Sequence, residues 1–295
     1  MDTTLVIGGL SVSIFLIVMM SVSVGLLSGL FGVGGGFLLT PLLIFLGVDP
    51  AIAVATAAPQ IAASTITALI SHTKRGNLDL KLGWVLVLSS APGTLLGVWA
   101  FSLLDAKASL QPVLNVLFAV LLGGSGLFML FDALCHHRKR QVVLPHQTVV
   151  ADFVHLWPAL PWPLFFERSR IKVSAIPLAG FAGLVGFLGT LLGIGGGFVI
   201  VPVLISVFQV PVLVAAATSS FQIFCTMVLA SALHLSQSHP VDPGLAFWLV
   251  VGGVIGGHVG SLVGGRLSAV SFRSWFALLM LAVAGRFVYM IVTAH

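Results

Sequence analysis

Carboxylates are scarce in this chain. Asp and Glu number 8 in 295 residues: Asp2, Asp49, Asp79, Asp105, Asp132, Asp152, Glu167 and Asp242. Each lies at the end of an apolar segment or in a connection, and none in the middle of a segment. A carboxylate proton relay or a cation site inside a membrane needs acidic groups there, so both are excluded. Cysteine is scarcer still. Cys135 abuts a basic stretch, Cys225 sits in an apolar one, and the pair offers neither metal-ligand spacing nor an expected disulfide. No glycine-rich stretch ends in Gly-Lys-Ser/Thr, which excludes a phosphate-binding loop for ATP, and the dinucleotide-binding pattern fails as well. Nothing supports an enzyme, a metal site or a cofactor.

Charge of either sign is rare. Only 7% of residues are charged and 58% are hydrophobic, whereas a soluble domain carries about 25% charged residues. The composition is that of a polytopic membrane protein. The net charge of +5 does not point to nucleic acid, because the basic residues sit in connections, where they set membrane topology. Met1-Asp2-Thr3-Thr4 has no basic leader region and no small-residue cleavage site, so the first apolar run reads as a retained span.

What is present in excess is glycine, arranged twice in the same way. Gly32-Val33-Gly34-Gly35-Gly36-Phe37-Leu38-Leu39-Thr40-Pro41-Leu42-Leu43 recurs as Gly193-Ile194-Gly195-Gly196-Gly197-Phe198-Val199-Ile200-Val201-Pro202-Val203-Leu204. Ala55-Thr56 followed by Gln60-Ile61 recurs as Ala217-Thr218 followed by Gln222-Ile223, and Pro92-Gly93 with Gly97 faces Gly253 with Gly257. The chain is therefore two copies of one unit. Each glycine costs a helix about 1 kcal/mol relative to Ala. Helix breaks at membrane depth are tolerated only where protein or a water-filled cavity surrounds them. Close helix packing is one role for such glycines. The other is a discontinuous helix restarting at Phe37 and at Phe198, its free N–H groups aimed at an anion. Paired breaks in two repeats point to a transport site.

Apolar segments run over 4–24, 25–47 (broken at the glycines), 49–71, 82–104, 110–132, 173–192, 197–208, 211–235, 243–266 and 272–293. The pieces after each glycine cluster are too short to span and predict a re-entrant or broken helix. The expected fold is an all-α polytopic membrane protein with about 7–8 transmembrane helices. It has two inverted repeats, 1–134 and 173–295, joined by a cytoplasmic linker, 135–172, with one extra helix at the N-terminus. The inversion is read from charge. The connection holding Lys74, Arg75 and Lys81 is basic, while its counterpart from Gln237 to Pro243 has no Lys or Arg; Lys107 alone faces Arg266 and Arg273. This places connection 71–81 and the N-terminus inside, and connection 237–243 and the C-terminus outside. The linker, with His136, His137, His146, His155 and the run from Trp157 to Phe166, reads as an interfacial segment near acidic lipid; a regulatory or metal-sensing loop is the other reading.

The polar residues inside the segments are neutral or potentially positive. Thr56 and Gln60 share one helix face, as do Thr218 and Gln222, with Ser219 beside them. Hydroxyls and amides donate to oxyanions; inter-helix hydrogen bonding is their alternative use. His258 lies among Gly252, Gly256, Gly260 and Gly264, a four-residue spacing that makes one packing face, and is either a gating residue or a core histidine.

With these residues in view the chain resembles the sulfite exporter TauE/SafE family, also called TSUP. The resemblance rests on the doubled Gly-x-Gly-Gly-Gly-Phe-x-x-x-Pro motif and the Ala-Thr-x-x-x-Gln that follows each copy, and it covers all but the linker. Repeat one has Ala57-Ala58-Pro59 where repeat two is polar in the manner of Thr218-Ser219-Ser220. The resemblance implies a multi-pass transporter of the bacterial inner membrane for sulfite, a sulfonate or a similar sulfur-containing anion. The partners expected are that anion and the bilayer. The residues expected to bind it are Gly34, Gly35, Gly36, Phe37, Thr56, Gln60, Gly195, Gly196, Gly197, Phe198, Thr218, Ser219 and Gln222. An anion channel and a non-transporting membrane scaffold or sensor are the alternatives.

Overall fold

The computed structural model describes residues 4–7, 10–31, 35–138, 163–166, 168–169, 171–236, 241–263 and 269–293. The first half opens with a two-stranded antiparallel hairpin, β1 (Thr4–Ile7) and β2 (Leu10–Ser13), followed by α1 (Ile14–Phe31), α2 (Gly36–Phe45), α3 (Pro50–Lys74), α4 (Leu80–Ala106) and α5 (Leu110–Arg138). The second half repeats the order: β3 (Pro163–Phe166) pairs with β4 (Ile171–Ser174), then come α6 (Ala175–Leu191), α7 (Gly197–Ser206), α8 (Val212–Ser236), α9 (Pro243–Val263) and α10 (Ala269–Thr293).

One expectation needs correction here. Thr4–Ile7 and Leu10–Ser13 pair as antiparallel strands and are not the start of a helix. The β-branched and Leu residues of both strands flank Gly8-Gly9, a dipeptide suited to a two-residue hairpin connection. There is thus no extra N-terminal helix among the described residues: α1 is the counterpart of α6. Likewise, the paired strands Pro163–Phe166 and Ile171–Ser174 introduce the second half. Residues 139–162 of the linker, with His146, His155, Trp157 and Trp162, lie outside the described residues, as do the side chains of His136 and His137.

Short polar caps start the long helices. Asp49 accepts from Ala51 N–H ahead of α3, Asp79 from Leu82 N–H ahead of α4, Ser174 from Ile176 N–H ahead of α6, and Asp242 from Leu245 N–H ahead of α9. Pro50 and Pro243 occupy first helical positions, where a missing N–H costs nothing. α2 and α7 are 10 residues each, or about 15 Å, half of a hydrocarbon core about 30 Å thick. Five described helices are long and apolar enough to cross a membrane: α3, α4, the Leu110–Phe128 part of α5, α8, and Pro243–Leu262 in α9.

Every major helix contact but the local ones joins one half to the other. α1 packs on α9, α4 on α6, α5 on α10, α3 on α8 and α9, and α8 on α4. Laying α1–α5 on α6–α10 in order converts each of these contacts into another of the set. The close contacts are made by small residues. Ser21 bonds the Leu249 carbonyl, a methyl group on Gly25 would lie 2.5 Å from the Gly253 oxygen, and Gly29 abuts the Gly257 carbonyl. These pairings advance together, so α1 and α9 run parallel. Gly93 on Gly183 and Gly97 on Phe187 do the same for α4 and α6. The α5–α10 contact is aromatic instead: Phe118 and Phe287 stack at 4.9 Å and 6°.

Polar side chains are inside and large apolar ones outside. Thr56, Gln60, Ser64, Thr218 and Gln222 are fully buried, while Leu88, Val120, Phe131, Phe247 and Val292 project from the bundle. Apolar outward surface of this extent suits hydrocarbon and not water.

Candidate functional site

The site is built where the two glycine stretches meet. At the end of α6, Ile194 and Gly195 N–H donate to Gly189 O at 2.8 and 3.1 Å, and Gly193 N–H to Thr190 O at 3.1 Å. Gly193, Gly195 and Gly196 all hold positive φ, from 64° to 79°, which is why side-chain-free residues are needed for this turn. Gly196 then caps α7, accepting from Val199 and Ile200 N–H, each at 3.1 Å. Gly35 plays that part for α2, accepting from Leu38 and Leu39 N–H at 3.3 and 3.4 Å. The half-helices therefore restart at Gly36 and Gly197, one residue before the expected positions. Gly34 lies outside the described residues.

The amide of Gly195 is occupied by Gly189 O, which removes it from the expected donor set. The N–H groups of Gly36, Gly196, Gly197 and Phe198 meet no acceptor among the described residues. They carry the positive end of each half-helix dipole.

The two stretches touch. Thr40 Oγ1 donates to Gly193 O at 2.8 Å, and the Phe37 and Phe198 rings lie 6.2 Å apart between centroids. A methyl group on Gly36 would fall 2.7 Å from Ile194 O. Ile61 and Ile223, the residues that follow the two glutamines, both lie against Gly195. The glycine turn thus sits between α3 and α8 at the level of Gln60 and Gln222.

The side chains predicted from these helices divide by environment. Gln60 Nε2 reaches Ser21 Oγ at 3.5 Å, a weak contact; among the described residues its Oε1 has no partner, and in Gln222 neither Nε2 nor Oε1 has one. Both residues are fully buried. A buried polar group without a partner costs about 1–3 kcal/mol, so the unmet atoms of these two repeat-equivalent amides argue for a ligand-facing role. Thr56 Oγ1 accepts from Asp242 N–H and Thr218 Oγ1 from Asp79 N–H, both at 3.4 Å. Each threonine thus reaches the cap of a helix in the other half, and its hydroxyl proton remains able to donate. Ser219 Oγ and Ser220 Oγ bond back to Ala216 O at 3.0 and 2.8 Å.

Gly35, Gly36, Phe37, Thr56, Gln60, Gly195 to Phe198, Thr218, Ser219 and Gln222 are all buried. None of them is charged. His258 does not join them: it is exposed on α9 and so is not a core histidine. Its glycine neighbours Gly252, Gly256 and Gly260 do form a packing face, against Val18, Val22 and Leu26 carbonyls of α1.

Sequence reasoning missed Ser21, Thr40, Asp79 and Asp242. Asp79-Leu80-Lys81-Leu82 and Asp242-Pro243-Gly244-Leu245 share an Asp-x-x-Leu pattern at equivalent points of the repeat; that recurrence was the available signal. It also missed Ser28 and Thr190 near the two turns, whose buried hydroxyls have no partner among the described residues.

The chain is 25% identical over 285 residues to the "Probable membrane transporter protein YunE" of Bacillus subtilis, covering 94% of this chain and 98% of that one. It is 32% identical over 265 residues to a "Probable membrane transporter protein" of Xylella fastidiosa, covering 88% and 89%. No solved structure matches. Residues 16–287 match the family described as Sulfite exporter TauE/SafE, a membrane transporter family, and the chain belongs to it.

Proposed function

We propose that this protein carries a small sulfur-containing anion, sulfite or a sulfonate, outward across a bacterial inner membrane. One observation carries the reading. The two half-helix N-termini meet between the halves, beside α3 and α8, which carry the fully buried Gln60 and Gln222; among the described residues Gln60 Oε1 and both polar atoms of the Gln222 amide have no partner. An oxyanion there would take backbone donors from Gly36, Gly196, Gly197 and Phe198. Gln60 and Gln222 would supply amide donors, and Thr56 and Thr218 hydroxyl donors. Such preorganised donors replace a hydration shell without a formal charge. The absence of carboxylates from the middle of the segments spares the anion any repulsion there.

The cross-matched contacts between halves and the opposed charge of equivalent connections support inverted repeats, with α1–α2 and α6–α7 each folding back as a hairpin around the site. In that arrangement Lys74, Arg75 and Lys81 face the cytoplasm. Because the site residues are buried, binding and release need the halves to move relative to one another. That favours a carrier over an open channel. An inside-negative potential expels anions by about 2.3 kcal/mol per charge per 100 mV, so export can run without a coupled ion.

The test is flux of labelled sulfite from liposomes holding the purified protein, with and without an imposed potential, competed by sulfate, a sulfonate and chloride. Saturable flux, accelerated by the potential and blocked by a sulfonate but not by chloride, is expected. Unitary currents in place of saturable flux would establish a channel. No flux of any of these anions through folded protein would remove the reading.

A further inference from the structure

We infer that a second oxyanion site lies at one mouth of the bundle, where the β3–β4 hairpin docks on the α3–α4 connection. A cavity of about 610 Å³ opens there, walled by Thr73, Gly76, Leu78, Asp79, Lys81 and Arg168. This volume falls within the range of small-molecule sites.

Its charge is decided by how the ionic groups are spent. Arg168 Nη1 donates to the carbonyls of Gly76 and Leu78 at 2.5 and 3.2 Å, and Lys81 Nζ donates to Phe165 O at 2.9 Å while lying 5.7 Å from the Phe166 ring centroid. Carbonyls and a ring hold both cations in place without cancelling their charge. Among the described residues no carboxylate pairs with either. The one carboxylate in the wall, Asp79, is buried and already accepts three hydrogen bonds: from Leu82 N–H at 3.1 Å, Ser169 N–H at 3.1 Å and Ser169 Oγ at 2.7 Å. Lys74 and Arg75 stand at the adjacent end of α3. The cavity is therefore a positive recess with fixed donors, the environment that suits a sulfite, sulfonate or phosphate head.

The recess adjoins the buried site, since the backbone N–H of its wall residue Asp79 bonds to Thr218. The equivalent connection in the other half, Gln237 to Asp242, contains no Lys or Arg. An anion would thus be gathered at one end and released at an end without basic residues in that connection. This role as a vestibule rests on the transport reading, while the binding itself does not. The head group can belong to the free anion or to an acidic lipid at the bilayer surface.

The experiment uses the full chain in nanodiscs. In phosphatidylcholine discs, labelled sulfite binding is measured for the wild type, for Gln222→Leu, and for Gln222→Leu combined with Lys81→Gln and Arg168→Gln. Gln222→Leu alone is expected to keep one class of binding, and neutralising the two cations to weaken it about tenfold. The charge-retaining pair Lys81→Arg and Arg168→Lys should bind as Gln222→Leu does. Discs containing phosphatidylglycerol are then examined by native mass spectrometry. Lipid retained by the wild type and lost from the neutral pair would make the lipid head the occupant. Equal sulfite binding and equal lipid retention in wild type and neutral pair would overturn the proposal. Equal loss in both the neutral and charge-retaining pairs would overturn it too, by assigning the effect to hairpin docking. Charge-dependent binding without flux would sink the transport reading alone; flux without charge-dependent binding would sink this site alone.

Discussion

The backbone N–H of Asp79, which caps α4 in the first half, donates to Thr218 Oγ1 of α8 in the second half; the N–H of Asp242, which caps α9, donates to Thr56 Oγ1 of α3. The two contacts are equivalents exchanged between halves. Each ties the start of one helix to a candidate donor on the other side of the interface. The threonines therefore serve the fold as well as the site, and their substitution tests both.

Thr56→Val and Thr218→Val leave a part-buried and a buried N–H, respectively, with a poorer partner, at a cost of about 1–3 kcal/mol. Thermal unfolding in detergent should show a lower midpoint for both, by similar amounts. Asp79→Ala should lower it further than Asp242→Ala. Asp79 loses a helix cap worth about 1 kcal/mol together with both Ser169 contacts, whereas the contact recorded for the Asp242 carboxylate is the cap. An equal effect of the two aspartates would show that Ser169 contributes nothing.

Gln60→Leu and Gln222→Leu separate stability from activity. Replacing either amide by a side chain of similar shape removes unmet polar atoms, at the loss in Gln60→Leu of one weak contact to Ser21, so the melting midpoint should hold or rise. Sulfite flux should fall at least about tenfold, the equivalent of one lost hydrogen bond to a charged ligand. Unchanged flux in both variants would remove the glutamines from the site.

Glycines in this chain differ in what surrounds them. Gly25→Ala and Gly256→Ala push a methyl group into the backbone of the facing helix, which should cost about 1–3 kcal/mol as overpacking. Gly180→Ala and Gly285→Ala meet nothing within 4 Å; there the better helix propensity of alanine should leave stability unchanged or raise it by up to about 1 kcal/mol. Parallel unfolding curves of the four variants would check this, and equal losses in all four would refute the assigned α1–α9 packing.

Gly35→Leu and Gly196→Leu should each abolish transport with membrane insertion retained. Gly35 lies against Val24 and Gly196 against Val185, and Gly196 also holds a φ of 74°. A bulky residue at either place must displace the turn that sets the half-helix N-terminus. Insertion is read from membrane fractions and flux from the same vesicles; retained flux in both variants would detach the glycine turns from function.

Much of this molecule was decided by the sequence. Low charge and long apolar runs set it in a membrane, because each buried charge would cost several kcal/mol in hydrocarbon. The doubled glycine motif fixed the two breaks to within a residue, since consecutive glycines cannot sustain a helix and Gly196 needs a left-handed backbone. Local pattern failed at 4–13, where a short apolar run fits strand or helix equally well by periodicity alone.

Only the tertiary structure decided what those elements do to one another. That α1 packs on α9 and α4 on α6 follows from surfaces brought together across the whole length of the chain, which no local window contains. The same assembly gave Thr56 and Thr218 partners on Asp242 and Asp79 but, among the described residues, left Gln60 Oε1 and the whole Gln222 amide without any. Four side chains that the repeat pairs in the sequence were thereby divided into two that bridge the halves and two that keep unmet amide atoms.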